Sequence, residues 1–166
     1  ARPSLPVRPV PRAPRVTENN PIRLFVTHLY EPDESYFRVF EYLESQPNFF
    51  YTNLATPEKP PRSKEKEATR EDLRRQIADA EVVILLSSLY KRDPVLVEYQ
   101  GLYAQSCEKP LIVMEPFGVT EPVPAKRREM ADEVVPWNGR EIADAIRRQA
   151  RHEDTKRWDV IEFKLD

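Results

Sequence analysis

The sequence predicts an α/β domain built on a five-stranded parallel sheet. Short apolar or aromatic runs recur at 22–27, 49–54, 82–86, 111–114 and 133–137. Stretches of helical periodicity separate them, so strands and helices alternate along the chain. The runs at 82–86 (VVILL) and 111–114 (LIVM) contain no polar residue, as expected of strands covered on both faces.

The stretch 81–118 organises the rest. Between its two strands, Asp93-Pro94 reads as a helix start, with Asp at the N-cap and Pro where a missing N–H costs nothing. The helix is expected to reach about residue 107, before Lys109-Pro110. Two buried strands joined by a helix make a right-handed βαβ unit. Glu98 lies one turn into this helix, with Val95 and Leu102 as helical neighbours. A carboxylate between apolar residues, beside the end of a central strand, is the leading candidate for chemistry.

The remaining elements follow in order. Residues 1–20 form a proline-rich arm that cannot be helix or central strand, and reads as an extended tail or as an arm docking on another subunit. The domain proper spans 21–151, and 152–166 is a tail in which 159–165 alternates like an edge strand or docking segment. Residues 22–27 give the first strand and 28–32 the loop after it. Tyr36, Val39, Phe40 and Leu43 make the apolar stripe of a helix over 33–46. A short aromatic strand follows at 49–54, then a long polar loop over 55–66. Thr69 with Asp72 reads as the N-cap of the next helix, whose stripe is Leu73, Ile77 and Ala80. Ser87 to Asp93 is polar and reads as a connecting loop. A short helix from Ala125, a last strand at 133–137 and a helix capped by Asn138 with Glu141 complete the pattern.

Composition excludes several classes. The chain has 166 residues, enough for one real core, and its 26 basic and 28 acidic residues interleave. Nucleic acid and anionic membrane are therefore not expected partners. No apolar run is long enough to span a membrane, and no apolar segment follows the N-terminal arginines, so neither a membrane span nor a secretory signal is expected and cytoplasm is the default compartment. Cys107 stands alone and His28 and His152 are the only histidines, which argues against an internal disulfide or a Cys/His metal site. Gly101, Gly118 and Gly139 are the only glycines, too few and too scattered for a phosphate-cradling G-x-G-x-x-G or Walker loop.

Five strands in this alternation favour the order 2-1-3-4-5, the flavodoxin-like three-layer arrangement, whose ligands bind at the carboxyl ends of strands 1 and 3. Those ends carry Thr27-His28-Leu29-Tyr30 and Ser87-Ser88-Leu89-Tyr90. A phosphoacceptor site would need acids here, and an FMN site a Gly-rich loop, and the sequence has neither. One carboxylate with hydroxyls and aromatics suits ribosyl chemistry. N-glycosidic cleavage passes through an oxocarbenium-like state that a carboxylate stabilises, and nicotinamide leaves without acid assistance. Tyr30 or Tyr90 could stack on a base. The bland readings stand beside these. A Glu on a helix is usually solvated, a His at a strand end is usually a hydrogen-bonded structural residue, and serines there usually shape the approach to a helix. Gly101 reads either as room beside Glu98 or as close packing against a strand.

Taken together, IRLFVTHLYEPDESYFRVFEYL, PNFFYTNLATPE, LRRQIADAEVVILLSSLY, VEYQGLYAQSCEKPLIVMEPFG and EVVPWNGREIADAIR resemble the Toll/interleukin-1 receptor (TIR)-like domains of bacteria and archaea, including those of Thoeris antiphage defence. The resemblance covers about 21–148. It implies a flavodoxin-like TIR fold, self-association, and cleavage of NAD as substrate, with no tightly bound cofactor, to nicotinamide and ADP-ribose or a cyclic isomer that serves as a signal. It implies Glu98 as the catalytic carboxylate, with His28, Tyr30, Ser87 and Tyr90 lining the nucleotide site. Relatives often carry tryptophans where this chain has Pro94 and Val97. Two other classes remain: a non-catalytic assembly or nucleotide-sensing module, and a nucleoside deoxyribosyltransferase-like enzyme.

Overall fold

The structure, a computed structural model, describes residues 16–119 and 121–155. Strands β1 (Ile22–Val26), β2 (Tyr51–Asn53), β3 (Val82–Leu86), β4 (Leu111–Met114) and β5 (Glu133–Val135) form one sheet in the order 2-1-3-4-5, parallel at every pairing. Helices α1 (Glu34–Glu44), α2 (Lys66–Ala78), α3 (Pro94–Ser106), α4 (Ala125–Met130) and α5 (Gly139–Arg151) alternate with the strands. α1 packs on α5 and α2 packs on α3, which places helices on both faces of a flavodoxin-like sheet. Every residue of β3 and β4 is buried, as their unbroken apolar sequences predict.

Three helix starts follow the sequence. Asp33 accepts from the Tyr36 N–H, Asp93 from the Leu96 N–H, and Asn138 from the Glu141 N–H, at 3.0, 3.0 and 3.1 Å. Each bond satisfies an orphan donor of a first turn. α2 departs from expectation. It begins at Lys66, not after Thr69, and no side chain caps it. Lys66, Glu67 and Ala68 are good helix formers and this end is largely exposed, so water can serve the free N–H groups. The outer strands are shorter than their aromatic or apolar runs. β2 keeps only the residues paired to Ile22, Arg23 and Leu24, and β5 stops before Pro136, which has no N–H to offer.

The polar segment after β3 is not an open loop. Ser87–Lys91 winds into a 3-10 helix that buries Ser87 and Leu89. Gly101 has a packing role. A Cβ there would stand 2.9 Å from Leu85 Cδ1 on β3 and 2.9 Å from Met130 Cε on α4. The glycine lets α3 lie close to the sheet.

At the opposite, amino end of the strands, Arg151 is nearly fully buried and its Nε lies 2.6 Å from Glu81 Oε1. The same carboxylate accepts the Arg23 N–H at 2.8 Å. Burial alone would raise the Glu81 carboxyl, but the bonds from Arg151 and Arg23 bring it below its ordinary value. Arg151 also donates to the Pro21 carbonyl, pinning the chain just before β1. The rest of the proline-rich arm, 1–15, and the alternating segment at 159–165 lie outside the described residues. No helix among the described residues is long and apolar enough to cross a membrane.

Candidate functional site

The carboxyl ends of β1, β3 and β4 are stitched together by side chains. Thr27 Oγ1 accepts the Leu86 N–H at 3.0 Å, joining β1 to β3 just past the ladder. Ser87 Oγ donates to the Met114 carbonyl at 2.7 Å, joining β3 to β4. Gln100, fully buried on α3, accepts the His28 N–H at 3.1 Å and donates to the His28 carbonyl at 2.8 Å. Its amide thus pairs with the β1 end as another strand would. This bond pair fixes α3, and with it Glu98, against the sheet.

His28 turns away from the cleft described below and into a closed network with α2. Tyr30 donates its backbone N–H to Nδ1 at 3.2 Å, which leaves the ring proton on Nε2 to be donated to Gln76 Oε1 at 2.9 Å. Gln76 Oε1 also accepts the Thr56 N–H, and Gln76 Nε2 donates to Tyr30 Oη and Asp72 Oδ2. Tyr30 Oη donates to Asp72 Oδ2 at 2.5 Å. The network holds Tyr30 in the left-handed region, at φ 59°, which costs a non-glycine residue about 1 kcal/mol. Both His28 nitrogens are engaged and its side chain is 1 % exposed, so it serves as a structural residue rather than a base.

Burial lowers the His28 pKa, against the bond to Gln76 and the charges of Asp72 and Glu58. The unfolded chain takes up this proton near pH 6.5 and the folded chain only at lower pH. The stabilisation is therefore complete above about pH 6.5 and is lost as pH falls toward the folded value. Urea unfolding between pH 7.5 and 5.5 is expected to show falling stability, with the slope reduced in His28→Gln.

On the other side of the 3-10 helix lies a cleft of about 600 Å³. α1 lines it with Glu34, Ser35 and Arg38, the 3-10 helix with Ser87, Ser88, Tyr90 and Lys91, the segment after β4 with Phe117, and α4 with Arg127. The Arg38 guanidinium lies 3.7 Å from the Phe117 ring centroid and that of Arg127 lies 3.9 Å from the Tyr90 centroid. Phe117 is braced from behind by Trp137, whose ring meets it edge-on at 5.4 Å and whose Nε1 donates to the Glu115 carbonyl at 2.6 Å. Ser88 Oγ is buried without a hydrogen-bond partner, alone in this among the described side chains.

Glu98 stands behind this cleft. It does not line the cavity, and its Oε2 accepts the Tyr90 hydroxyl at 2.8 Å. Burial, then the bond to Glu98 and its charge, raise the Tyr90 pKa, so the phenol stays protonated and donating. The apolar neighbours expected to shelter Glu98 do not do so, since Val95 is 68 % exposed and Leu102 is 50 % exposed. Both face outward on α3, while Val97, Gln100, Gly101 and Ala104 face the sheet.

The five expected site residues therefore fall into two groups. Ser87 and Tyr90 line the cleft, with Glu98 bonded to Tyr90 behind it. His28 and Tyr30 belong to the α2 network and do not line the cleft. Sequence reasoning missed Gln100, Gln76, Asp72, Arg38, Phe117 and Arg127. Gln100 alone left a legible sign, being a polar residue spaced i+3 from Val97 and i−4 from Ala104 on a buried stripe. Among the described residues no group of His, Cys, Asp or Glu could hold a metal ion. No protein-family model matches the chain, and no curated protein sequence matches it.

Proposed function

We propose that this chain is a TIR-like domain that binds NAD in the cleft at the carboxyl end of the sheet and cleaves it, in a signalling role of the antiphage-defence kind. The observation that carries the reading is the Tyr90 side chain, which forms part of the cleft wall and holds Glu98 by its hydroxyl. The carboxylate is thus one hydrogen bond behind a nucleotide-sized cavity at the end of the sheet where such folds bind ligands. Tyr90 offers its ring to a base or ribose, and Glu98 supplies the negative charge that an oxocarbenium-like ribose needs. The C–N bond to nicotinamide breaks with its electron pair passing to the ring nitrogen, and neutral nicotinamide leaves. Water at C1′, losing a proton, gives ADP-ribose. Attack by another group of the same nucleotide gives a cyclic isomer. For this the Tyr90–Glu98 bond has to open toward the cleft.

A second reading has its own support. Glu98 is engaged by Tyr90 and stands outside the cavity, as it would in a domain that binds a nucleotide, or self-associates, without cleaving anything.

Purified protein at high concentration is incubated with NAD and the products are separated by mass-resolved chromatography. The first reading predicts nicotinamide release with equimolar ADP-ribose or cyclic isomer. NAD that binds but survives intact at every protein concentration supports the second.

A further inference from the structure

Arg38 and Arg127 are both half-buried, stand on two different helices, and line the same cleft. Neither has a carboxylate partner among the described residues. Each guanidinium lies over an aromatic ring, Arg38 over Phe117 and Arg127 over Tyr90. Stacking uses the faces of the planar cations and leaves their N–H edges free, the geometry that suits bidentate bonds to phosphate oxygens. Lys91 adds a third cation from the 3-10 helix, so that three cations face the two carboxylates of the same lining, Glu34 and Glu121. The arginines that pair elsewhere behave differently. Arg92 is tied to Glu31 and Asp33, Arg148 to Glu133, and Arg151 to Glu81. The two cleft arginines keep their donors unspent.

Ser88 gives an independent sign. Its Oγ is buried, has no partner, and belongs to a residue of the cleft lining. A buried hydroxyl left unbonded is uncommon unless something else completes it. The neighbouring Ser87 cannot take that part, because its hydrogen already goes to the Met114 carbonyl.

We propose that Arg38 and Arg127 form a two-walled subsite for the diphosphate of a nucleotide, with Lys91 as a third charge and the Ser88 hydroxyl as a further hydrogen-bond donor. Two forks on opposing helices fit two adjacent phosphates better than one. The subsite rests on the proposal that a nucleotide occupies this cleft, but not on cleavage. It makes ADP-bearing ligands preferred over nucleosides, and the diphosphate the part that orients the remainder toward Tyr90.

The test is isothermal titration of the full chain with inorganic pyrophosphate, ADP and adenosine. The wild type is compared with Arg38→Gln, Arg127→Gln and the double variant, and thermal unfolding confirms that each is folded. Glutamine keeps a planar polar end while removing the charge and the guanidinium fork that lies over each ring. Each single change is expected to weaken ADP and pyrophosphate about tenfold, while adenosine changes little. Wild-type affinity for ADP is expected to fall steeply with added salt. Pyrophosphate and ADP that fail to bind the wild type at millimolar concentration overturn the subsite, as does a double variant that binds them equally well. NAD cleaved with unchanged KM by the double variant also overturns the subsite while leaving the reaction standing. Arginine-dependent ADP binding with NAD left intact supports the subsite and removes the reaction.

Discussion

Glu98→Gln is expected to lower nicotinamide release by about 10²–10³-fold, the usual loss when a charge aimed at the transition state is removed. The substitution keeps the size of the side chain and an oxygen to accept the Tyr90 hydroxyl, so the bond seen at 2.8 Å can persist. Folding is expected to be nearly unaffected, since Glu98 is only partly buried and its flanks, Val95 and Leu102, are exposed. Loss of rate with retained stability is the combination that marks a catalytic carboxylate. Tyr90→Phe is the natural companion. It keeps the ring beneath Arg127 and removes only the bond that holds Glu98 behind the cleft. A rate within about tenfold of wild type is expected there, because the carboxylate is retained.

Gln100→Leu is expected to destabilise the fold by about 4 kcal/mol. Leucine nearly matches glutamine in volume, so no cavity opens. The loss comes from the buried backbone of His28, whose N–H and C=O both pair with the Gln100 amide. Each orphaned group costs roughly 1–3 kcal/mol. Urea unfolding with an unchanged m value is the measurement. A loss below about 1 kcal/mol would mean that water or another group serves the β1 end, and that Gln100 does not hold α3 in place.

Much of the fold was legible because it rests on local chemistry. Apolar runs marked β3 and β4, the stripe Tyr36, Val39, Phe40 and Leu43 marked α1, and Asp93-Pro94 and Asn138 marked the starts of α3 and α5. Where a stronger local force was hidden, the reading slipped. Thr69 looked like a cap, but three good helix formers before it extend α2 by a turn. The polar segment after β3 concealed a 3-10 helix, because Ser87 bonds to the Met114 carbonyl at the sheet end and Leu89 is buried, so the segment does not face solvent as its polarity suggests. The site was less legible for a physical reason. Loop sequence tells which residues stand at a strand end, but not to which side each turns. His28 and Tyr30 turn toward α2, where Gln76 and Asp72 meet them, whereas Ser87 and Tyr90 line the cleft, Ser87 bonded to β4 and Tyr90 beneath Arg127 of α4. Arg38 over Phe117 and Arg127 over Tyr90 join residues distant in sequence, with no local pattern to announce them.

A nucleotide of the NAD class is proposed to sit in the cleft before Tyr90. Titration of isotope-labelled protein with ADP-ribose, followed by amide chemical shifts, tests it most directly. Saturable shifts are expected, concentrated in the 3-10 helix Ser87–Lys91, at Phe117 and Gly118, and in the first turns of α1 and α4. Shifts confined to α2 and the outer face of α3, or none at millimolar ligand, would contradict it.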